Sequence, residues 1–172
     1  MANLPNVIQN FNVYTDGNRL VGITGEVSMP EITAVVAEVT GAGMLGTVSF
    51  PALGHFENME QQIPFTSFNR EFFDLTDFTS QKNLTLRGAL QEYNPATGAL
   101  EAKGLRIVMR GNLTGITGGT LKAGEGSAPS ITLALTYLLI AYDDQEVFEL
   151  DKMNAVYKVN GRDILADYTR LC

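Results

Sequence analysis

Hydrophobic and polar residues alternate along residues 83–93. One side of this pattern carries Leu84, Leu86 and Leu90, and the other carries polar or small residues: Thr85, Arg87, Ala89 and Gln91. Successive side chains of a β-strand point to opposite faces of its sheet, so a period of two predicts a strand. Residues 83–93 are therefore predicted to form a half-buried strand.

Six other segments have strand character. They are residues 19–28, 32–39, 105–113, 131–142, 145–150 and 155–159. In the third segment Leu105, Ile107 and Met109 alternate with Arg106, Val108 and Arg110. In the fourth segment, unbroken alternation would place Tyr137 and Leu139 on the same face as Leu133 and Leu135. Because the opposite face also becomes apolar toward its end, this strand is predicted to be central or covered on both sides.

Turn-forming residues separate these strands. The stretch YNPATGALEAKG at residues 93–104 contains Asn-Pro and Thr-Gly, so it predicts a hairpin. Residues 115–130 are rich in glycine and are predicted to form a loop, and Asp143-Asp144 is predicted to form a turn. The pair Asn160-Gly161 is a strong hairpin signal, but here it is expected to open the carboxy-terminal tail.

Helical spacing is found in two places. Residues 66–75 place Phe68, Phe72 and Leu75 at intervals of three and four, with Thr66 or Ser67 as the candidate N-cap. Residues 162–171 are predicted to form a short terminal helix. No linker or internal repeat interrupts the chain. We therefore expect a mainly β fold with one flanking α-helix, as a single domain over residues 1–172, with an N-terminal arm at about 1–15 and a C-terminal tail at about 160–172.

The segment GAGMLG at residues 41–46 matches the G-x-G-x-x-G pattern of dinucleotide-binding loops. That function requires a helix directly after the glycines, because the N–H groups of its first turn hold the pyrophosphate. The residues that follow, TVSFP at 47–51, are typical of a strand or loop and end in a proline. A glycine-rich bend between two strands is therefore favoured over a nucleotide site.

The chain has 172 residues, 45% of them hydrophobic, so one domain with a single core is expected. Twelve basic and nineteen acidic residues give a net charge of −7, and the basic residues do not form runs. Proteins that bind nucleic acid tightly usually present a basic stripe, so tight binding is disfavoured. By itself, the acidity is that of an ordinary soluble surface.

The sequence carries no signal for export or membrane insertion. Its longest apolar run, at residues 131–142, is too short to cross a bilayer. The amino terminus, MANLPNVIQNFN, lacks the basic and apolar regions of a secretory signal. The single cysteine, Cys172, cannot form an internal disulfide. The chain is therefore expected to remain in the cytoplasm in which it is made.

The residue patterns of common enzyme mechanisms are missing from the sequence. His55 is the single histidine, and it lies in a predicted loop with no cysteine nearby, so a zinc site would need several carboxylates. No G-x-S-x-G elbow supports a Ser-His-Asp triad. Asp143 and Asp144 are expected to be solvated turn residues. The sequence therefore predicts no enzyme, no cofactor and no metal site.

A chain with long strands, many glycines and few charges is expected to have exposed sheet edges. Exposed strand edges pair readily with other chains. Closing a ring of subunits around a shared barrel removes such edges. Assembly is therefore the function class that these physical properties favour.

Several segments, in a fixed order, carry a resemblance to a known family. GAGM (41–44) ends a strand, IVMRG (107–111) precedes a loop ending in KAGEG (122–126), and LTYLLIAYDDQEVFELDKMNAVYKVNGRD (135–163) follows that loop. The last segment contains an aromatic strand, a closing Val-Asn-Gly at 159–161, and an acidic hairpin with Asp143, Asp144, Glu146, Glu149 and Asp151. Over residues 20–171 this order resembles the major tail tube protein of contractile-tailed (myovirus-type) phages and the tubes of related R-type bacteriocins.

The resemblance implies a β-sandwich or half-barrel with a flanking helix, assembled as a hexameric ring around one shared β-barrel. Stacked rings would form the inner tube of a contractile phage tail or tail-derived particle, which conducts DNA or protein during delivery. The implied partners are other copies of the chain and the tail sheath, tape measure and baseplate proteins, with DNA as passing cargo. The implied location is the virion tail, after assembly in the cytoplasm of the bacterial host.

Two groups of residues are expected to serve this assembly. Contacts between subunits or rings are predicted at Gly41, Gly43, Met44, Gly46 and Phe50, because small residues allow close approach of backbones. The lumen is predicted to be lined by polar strand residues, namely Thr85, Arg87, Gln91, Thr132 and Thr136. With a net charge of −7, a weakly acidic wall would repel phosphate.

Two other function classes remain open at this stage. One is a monomeric β-sandwich module that binds a carbohydrate or another ligand, although the chain has no tryptophan for such a site. The other is a hydrolase on a β scaffold, for which the catalytic residues are missing. Only the tube hypothesis predicts hexamers or polymers.

Overall fold

In the computed structural model, which describes residues 4–171, the fold is built from strands and two short helices. The strands are β1 (Leu4–Thr15), β2 (Asn18–Arg19), β3 (Ala34–Val39), β4 (Val48–Phe56), β5 (Met59–Pro64), β6 (Gln81–Asn94), β7 (Ala99–Thr117), β8 (Ser130–Tyr142), β9 (Gln145–Asp151), β10 (Val156–Val159) and β11 (Arg162–Asp163). The helices are α1 (Arg70–Asp74) and α2 (Ala166–Thr169). The predicted mainly β fold with a flanking helix is confirmed. Residues 1–3 of the predicted arm and Cys172 lie outside the described residues, and the rest of that arm forms β1.

Most strands belong to one antiparallel sheet. Its order is β11-β10-β9-β8-β7-β6-β1-β2, and β5 branches from it by pairing with β8. Strands β3 and β4 form a separate two-stranded unit. The hairpin predicted at residues 93–104 is confirmed as the β6–β7 connection, in which the Gly98 N–H donates to the Asn94 carbonyl at 2.8 Å. Strands β6 and β7 extend almost to this turn, and β1 pairs with β6 as far as Tyr93.

The hydrophobic core lies on one face of the large sheet. The alternation predicted for residues 83–93 and 105–113 is confirmed, because Leu84, Leu86, Ile107 and Met109 are all buried in this core. From the other side the core is closed by buried residues outside the long strands: Leu20, Phe65, Phe72 and Leu75. We call the opposite face of the sheet the polar face.

Strand β8 changes its partner along one edge. Its first half, up to Leu135, pairs with β5, and its second half, from Tyr137, pairs with β9. Thr136 lies at the junction as an extra residue, because Gly111 of β7 faces Leu135 while the preceding Arg110 faces Tyr137. Such a bulge places two successive side chains on the same face and shifts the alternation by one.

This bulge overturns one prediction about β8. Beyond Thr136 it is Leu138 and Ile140 that pack in the core, so Tyr137 and Leu139 lie on the polar face rather than beside Leu133 and Leu135. The sequence alternates without a break, so it carries no sign of the extra residue.

Residues 20–33 cover the core instead of forming the predicted strand at 19–28. Strand pairing here is limited to β2 and to a bridge between Ile23 and Phe65. Gly22 has a φ of +85°, which bends the chain, and the side-chain amide of the buried Gln61 donates to the Ser28 carbonyl at 2.8 Å. The prediction was wrong because these contacts to β5 hold the segment across the core.

Helix α1 starts later than predicted. Its N-cap is Asn69, whose Oδ1 accepts a hydrogen bond from the Phe72 N–H at 2.8 Å. Neither predicted cap, Thr66 or Ser67, is the N-cap. The backbone of Thr66 is engaged elsewhere, because its N–H donates to the Gly22 carbonyl and its carbonyl accepts from the Ala128 N–H. Thr66 therefore belongs to the core cover, and the helix is shorter than residues 66–75.

The predictions near the carboxy terminus are partly confirmed. Asp143 and Asp144 form the predicted turn, with φ values of +50° and +63°. The pair Asn160-Gly161 does not open a tail but turns β10 into β11, where Lys158 faces Asp163. The terminal helix is limited to α2, because its predicted first residues already belong to β11. The single histidine lies in β4 rather than in a loop.

The loop after α1 is stabilised by the carboxylate of Asp77. It accepts hydrogen bonds from the Thr79 hydroxyl at 2.7 Å, the Thr79 N–H at 2.9 Å and the Ser80 hydroxyl at 2.9 Å. These bonds, those from Thr79 first, lower the pKa of Asp77 from 3.8 to about 2. Ionised Asp77 therefore stabilises the fold above pH 3.8, and the contribution is lost as the pH falls through about 2.

Replacing Asp77 with Ala is expected to lower the unfolding temperature at pH 7, and the difference from the unmodified chain should shrink as the pH falls toward 2. Thermal unfolding followed by circular dichroism between pH 2 and 7 measures this. Asp77→Asn, which keeps an acceptor without the charge, should show a smaller loss at neutral pH. A difference that stays constant across the pH range would contradict the role of the ionised carboxylate.

Candidate assembly surfaces

The β3–β4 hairpin exposes apolar side chains that its own chain does not cover. Exposed members include Val35, Val36, Val39, Val48, Leu53 and Phe50, the last of which is 53% exposed. A two-stranded hairpin is at best marginally stable in water without packing on other elements. Contiguous exposed apolar residues also mark interaction surfaces. The hairpin is therefore a candidate interaction surface.

The GAGMLG segment forms the loop of this hairpin. Gly43 and Gly46 have φ values of +90° and +119°, a region that favours glycine, and the Met44 N–H donates to the Gly41 carbonyl at 3.1 Å. Because the loop joins two antiparallel strands and no helix follows it, the predicted glycine-rich bend is confirmed. All five residues predicted to make intersubunit contacts lie exposed on this hairpin: Gly41, Gly43, Met44, Gly46 and Phe50. Their contact with another copy remains a prediction.

The five residues predicted to line the lumen lie on the polar face. Thr85, Arg87 and Gln91 alternate with the core-facing residues of β6, and Thr132 lies between buried Ile131 and Leu133. Thr136 joins them through the bulge, since its hydroxyl accepts from the Gln81 side-chain amide at 3.0 Å. The structure therefore brings this group together on one surface, and its place in a lumen remains a prediction.

A row of interacting side chains crosses the polar face from β7 to β10. The Arg110 guanidinium lies 4.6 Å from the centre of the Tyr137 ring, and the Tyr137 hydroxyl donates to Glu149 at 3.2 Å. The other oxygen of Glu149 accepts from Lys158 at 3.0 Å. Burial, followed by the nearby Glu149, raises the pKa of Tyr137, and the hydrogen bond to Glu149 raises the pKa of Lys158. The row therefore joins four strands with alternating charge.

Sequence reasoning did not select the members of this row. Arg110 lies on the polar side of the alternation predicted for residues 105–113, so the sequence predicts which face of the sheet it occupies. Tyr137 was assigned to the wrong face because of the bulge. The sequence shows Glu149 only as part of the acidic hairpin, and its pairing with Lys158 depends on the register of β9 and β10.

Strand β1 presents an open edge. Among the described residues its outer edge meets another strand only at Tyr14 and Thr15, which pair with β2. Ile8, 59% exposed, lies at the mouth of an apolar groove of about 140 Å³, which is lined also by Phe11, Met29 and Leu105. An open edge beside an apolar groove offers both backbone hydrogen bonds and apolar area to a neighbouring chain.

Aromatic residues form a further exposed patch around α1. Phe68 and Phe73 stack with their ring centres 5.8 Å apart above buried Phe72. Phe73 and Phe78 are both more than half exposed.

Across residues 4–171, no grouping of three or more His, Cys, Asp or Glu side chains is arranged to hold a metal ion. No helix in the same range has the length and apolarity to span a membrane.

Comparison with known proteins identifies relatives of this chain. A family model described as phage tail tube protein FII matches residues 5–171. The tail tube protein of Escherichia phage P2 is 27% identical over 168 residues, which are 97% of this chain and 96% of that protein. The major tail tube protein of Serratia phage KSP20 is 24% identical over 164 residues, which are 95% and 93% of the two chains.

Two solved structures share the fold. One is described as the sheath/tube terminator of an extracellular contractile injection system, PVC, in the extended state; it has a TM-score of 0.58 and 15% identity, and the match covers 82% of this chain and 99% of that one. The other is described as the sheath-tube complex of the same kind of system; it has a TM-score of 0.55 and 18% identity, with coverages of 80% and 91%. The tail tube resemblance seen in the sequence is confirmed by the family match, which supports a structural tube subunit and not a monomeric ligand-binding module. The chain belongs to the phage tail tube protein FII family.

Proposed function

We propose that copies of this chain close into hexameric rings, and that the rings stack into the inner tube of a contractile phage tail or a related particle. The observation that carries this proposal is the β3–β4 hairpin, whose apolar residues are exposed in the single chain. Burying such residues against identical neighbours would supply the hydrophobic free energy of assembly. Contacts between unlike surfaces of identical copies generate both rings and filaments.

Lateral contacts within a ring are assigned to the open edge of β1. Its unpaired N–H and C=O groups would continue the large sheet into the next copy, so that six sheets share one barrel. The apolar groove beside Ile8 and Phe11 adds area to this contact. Closure of the ring would leave no unpaired edge of this kind.

Contacts between rings or between neighbouring subunits are assigned to the tip of the β3–β4 hairpin. There Gly41, Gly43 and Gly46 allow close backbone approach, and Met44 and Phe50 supply apolar area. The positive φ values of Gly43 and Gly46 fix the direction in which the hairpin leaves the subunit. Burial of Phe50 removes an aromatic ring from water, the type of contact that dominates interface free energies.

The polar face is assigned to the lumen. It carries Thr85, Arg87, Gln91, Thr132 and Thr136, whereas the apolar core and α1 lie on the other side of the sheet. A wall with these polar side chains would offer a passing hydrated polymer little apolar area to adhere to. DNA or protein would travel through this channel as cargo.

The remaining partners follow from the same assignment. A tube of this family would be surrounded by tail sheath proteins, would contain the tape measure protein before delivery, and would start at the baseplate. The protein would assemble in the host cytoplasm and end in the virion tail. Its role is structural, and we propose no catalytic activity for it.

Electron microscopy of the purified chain tests this proposal. We expect end views with sixfold symmetry and side views of stacked rings once the concentration is raised or preformed tubes are added as seeds. Light scattering should then give masses in multiples of six subunits. Rings of another symmetry, or a chain that stays monomeric even in the presence of seeds, would contradict the proposal.

A further inference from the structure

The polar face carries a cluster of three arginines on two adjacent strands. Arg87 of β6 lies directly opposite Arg106 of β7 in the sheet register. Arg110 follows four residues later on the same face of β7. Like charges directly opposite each other destabilise an antiparallel pair. Within residues 4–171 no carboxylate lies within ion-pair distance of these three groups, although Asp151 feels the charge of Arg110 at longer range.

Two of the guanidinium groups are held on aromatic rings. Arg87 lies 5.5 Å from the centre of the Tyr14 ring, and Arg110 lies 4.6 Å from the centre of the Tyr137 ring. A guanidinium on a ring face keeps the N–H groups at its edge available as donors. In Arg106 the Nε atom is buried and has no hydrogen-bond partner among the described residues. The ring contacts therefore orient the guanidinium groups of Arg87 and Arg110, and Arg106 contributes a third positive charge beside them.

We infer that the cluster of Arg87, Arg106 and Arg110 is a contact site for the phosphate groups of nucleic acid. Guanidinium groups bind phosphate through paired N–H donors. A DNA duplex offers one phosphate charge for about every 1.7 Å of its axis, so an open face can meet several at once. The inference rests on the proposed function in one respect: it is as a lumen wall that this face would meet passing DNA.

The surroundings of the cluster keep the contact weak. On the same face, two strands away, lie the carboxylates of Glu146, Glu149 and Asp151. The chain as a whole carries a net charge of −7, which disfavours long-range attraction of a polyanion. The polar face thus differs from the weakly acidic wall expected from the net charge. It combines a basic half on β6 and β7 with an acidic half on β9, and this arrangement allows brief contacts and sliding rather than tight binding.

Binding of a fluorescein-labelled 20-base-pair duplex to the folded chain, followed by anisotropy between 20 and 200 mM salt, tests the inference. Each phosphate contact contributes about 0.9 to the slope of log K against log salt concentration. Replacing all three arginines with Gln should reduce that slope by about 2.7 and weaken binding by at least about tenfold at low salt. Arg87→Gln alone should give about one third of the change in slope.

The control variant removes the same number of positive charges from another part of the chain. Arg70, Arg162 and Arg170 lie outside the polar face, and the triple Gln variant of these residues should bind like the unmodified chain. Equal losses in the two triple variants would overturn the inference, because only net charge would then matter. So would an absence of binding by the unmodified chain, or equal binding of a polyglutamate peptide. Electron microscopy of the triple variant of Arg87, Arg106 and Arg110 tests the proposed assembly independently. Tubes formed by this variant would show that its loss of DNA binding is not a loss of assembly.

Discussion

Replacing Phe50 with Asp is expected to abolish tube formation while leaving the subunit folded. Phe50 lies on β4 and is 53% exposed in the single chain, so the subunit itself gains little from its ring. In the proposed interface the ring is buried, and the variant would bury a carboxylate without a partner. An aromatic residue at the centre of an interface contributes about 2 kcal/mol or more, so the critical concentration for assembly should rise by at least about 30-fold.

Sedimentation of polymers across a concentration series measures this effect, and circular dichroism shows that the subunit remains folded. Phe50→Leu is the matched control: it keeps an apolar side chain at the same position and should preserve most of the assembly. If Phe50→Asp forms tubes at the normal concentration, the hairpin is not part of the interface. Loss of the folded signal would instead show that the ring stabilises the subunit itself.

Replacing Gly111 with Ala is expected to destabilise the subunit more than any surface change discussed above. Gly111 lies in β7 opposite the bulge of β8, and a Cβ atom there would come 2.3 Å from the Ala134 carbonyl oxygen and 3.0 Å from the Leu135 Cα atom. Both are backbone atoms of the paired strand, so the strands must separate to make room. Overpacking of this severity costs about 3 kcal/mol or more.

Gly104 provides the control within the same strand. No heavy atom lies within 4 Å of a Cβ atom built at Gly104, so Gly104→Ala should change the free energy of unfolding by less than about 0.5 kcal/mol. Urea unfolding of the two variants measures the difference. Equal stabilities would mean that β8 moves away from β7 at little cost, and would contradict the tight pairing at the bulge.

The parts of the fold that depend on local pattern could be predicted from the sequence. The period of two in β6 and β7 located the core residues Leu84, Leu86, Ile107 and Met109. Turn chemistry located the β6–β7 hairpin and the Asp143-Asp144 turn. These features need only neighbouring residues, because alternation and turn geometry are set within a few positions along the chain.

The parts that depend on distant contacts could not be predicted. Residues 20–33 have strand-like composition, but Gln61 and Pro64, far along the chain, hold this segment across the core. The cap of α1 is Asn69 because Thr66 is bound to Gly22 and Ala128. In β8 the face of Tyr137 depends on a bulge opposite Gly111. In each case a tertiary contact overrode a local preference.

The candidate surfaces show the same division. Their chemistry could be predicted, because the glycines of the hairpin loop and the polar residues of the strands are visible as sequence patterns. The grouping of Arg106 and Arg110 with Arg87 needed the register of β6 and β7. The row through Tyr137, Glu149 and Lys158 needed the pairing of three strands. Neither arrangement has a local signature.

The branching of the sheet at Thr136 makes the two ends of the sheet different. At one end the sheet finishes in the long edge of β1, and at the other it forks into β5 and the β9–β11 segment. A contact that joins one end of the sheet to the different end of the next copy is not a twofold contact. Copies linked in this way would therefore all have the same orientation around a ring. In the proposed ring, the angle between successive copies would fix the number of copies that close it. A single extra residue in one strand would therefore help to decide the polarity of the whole assembly.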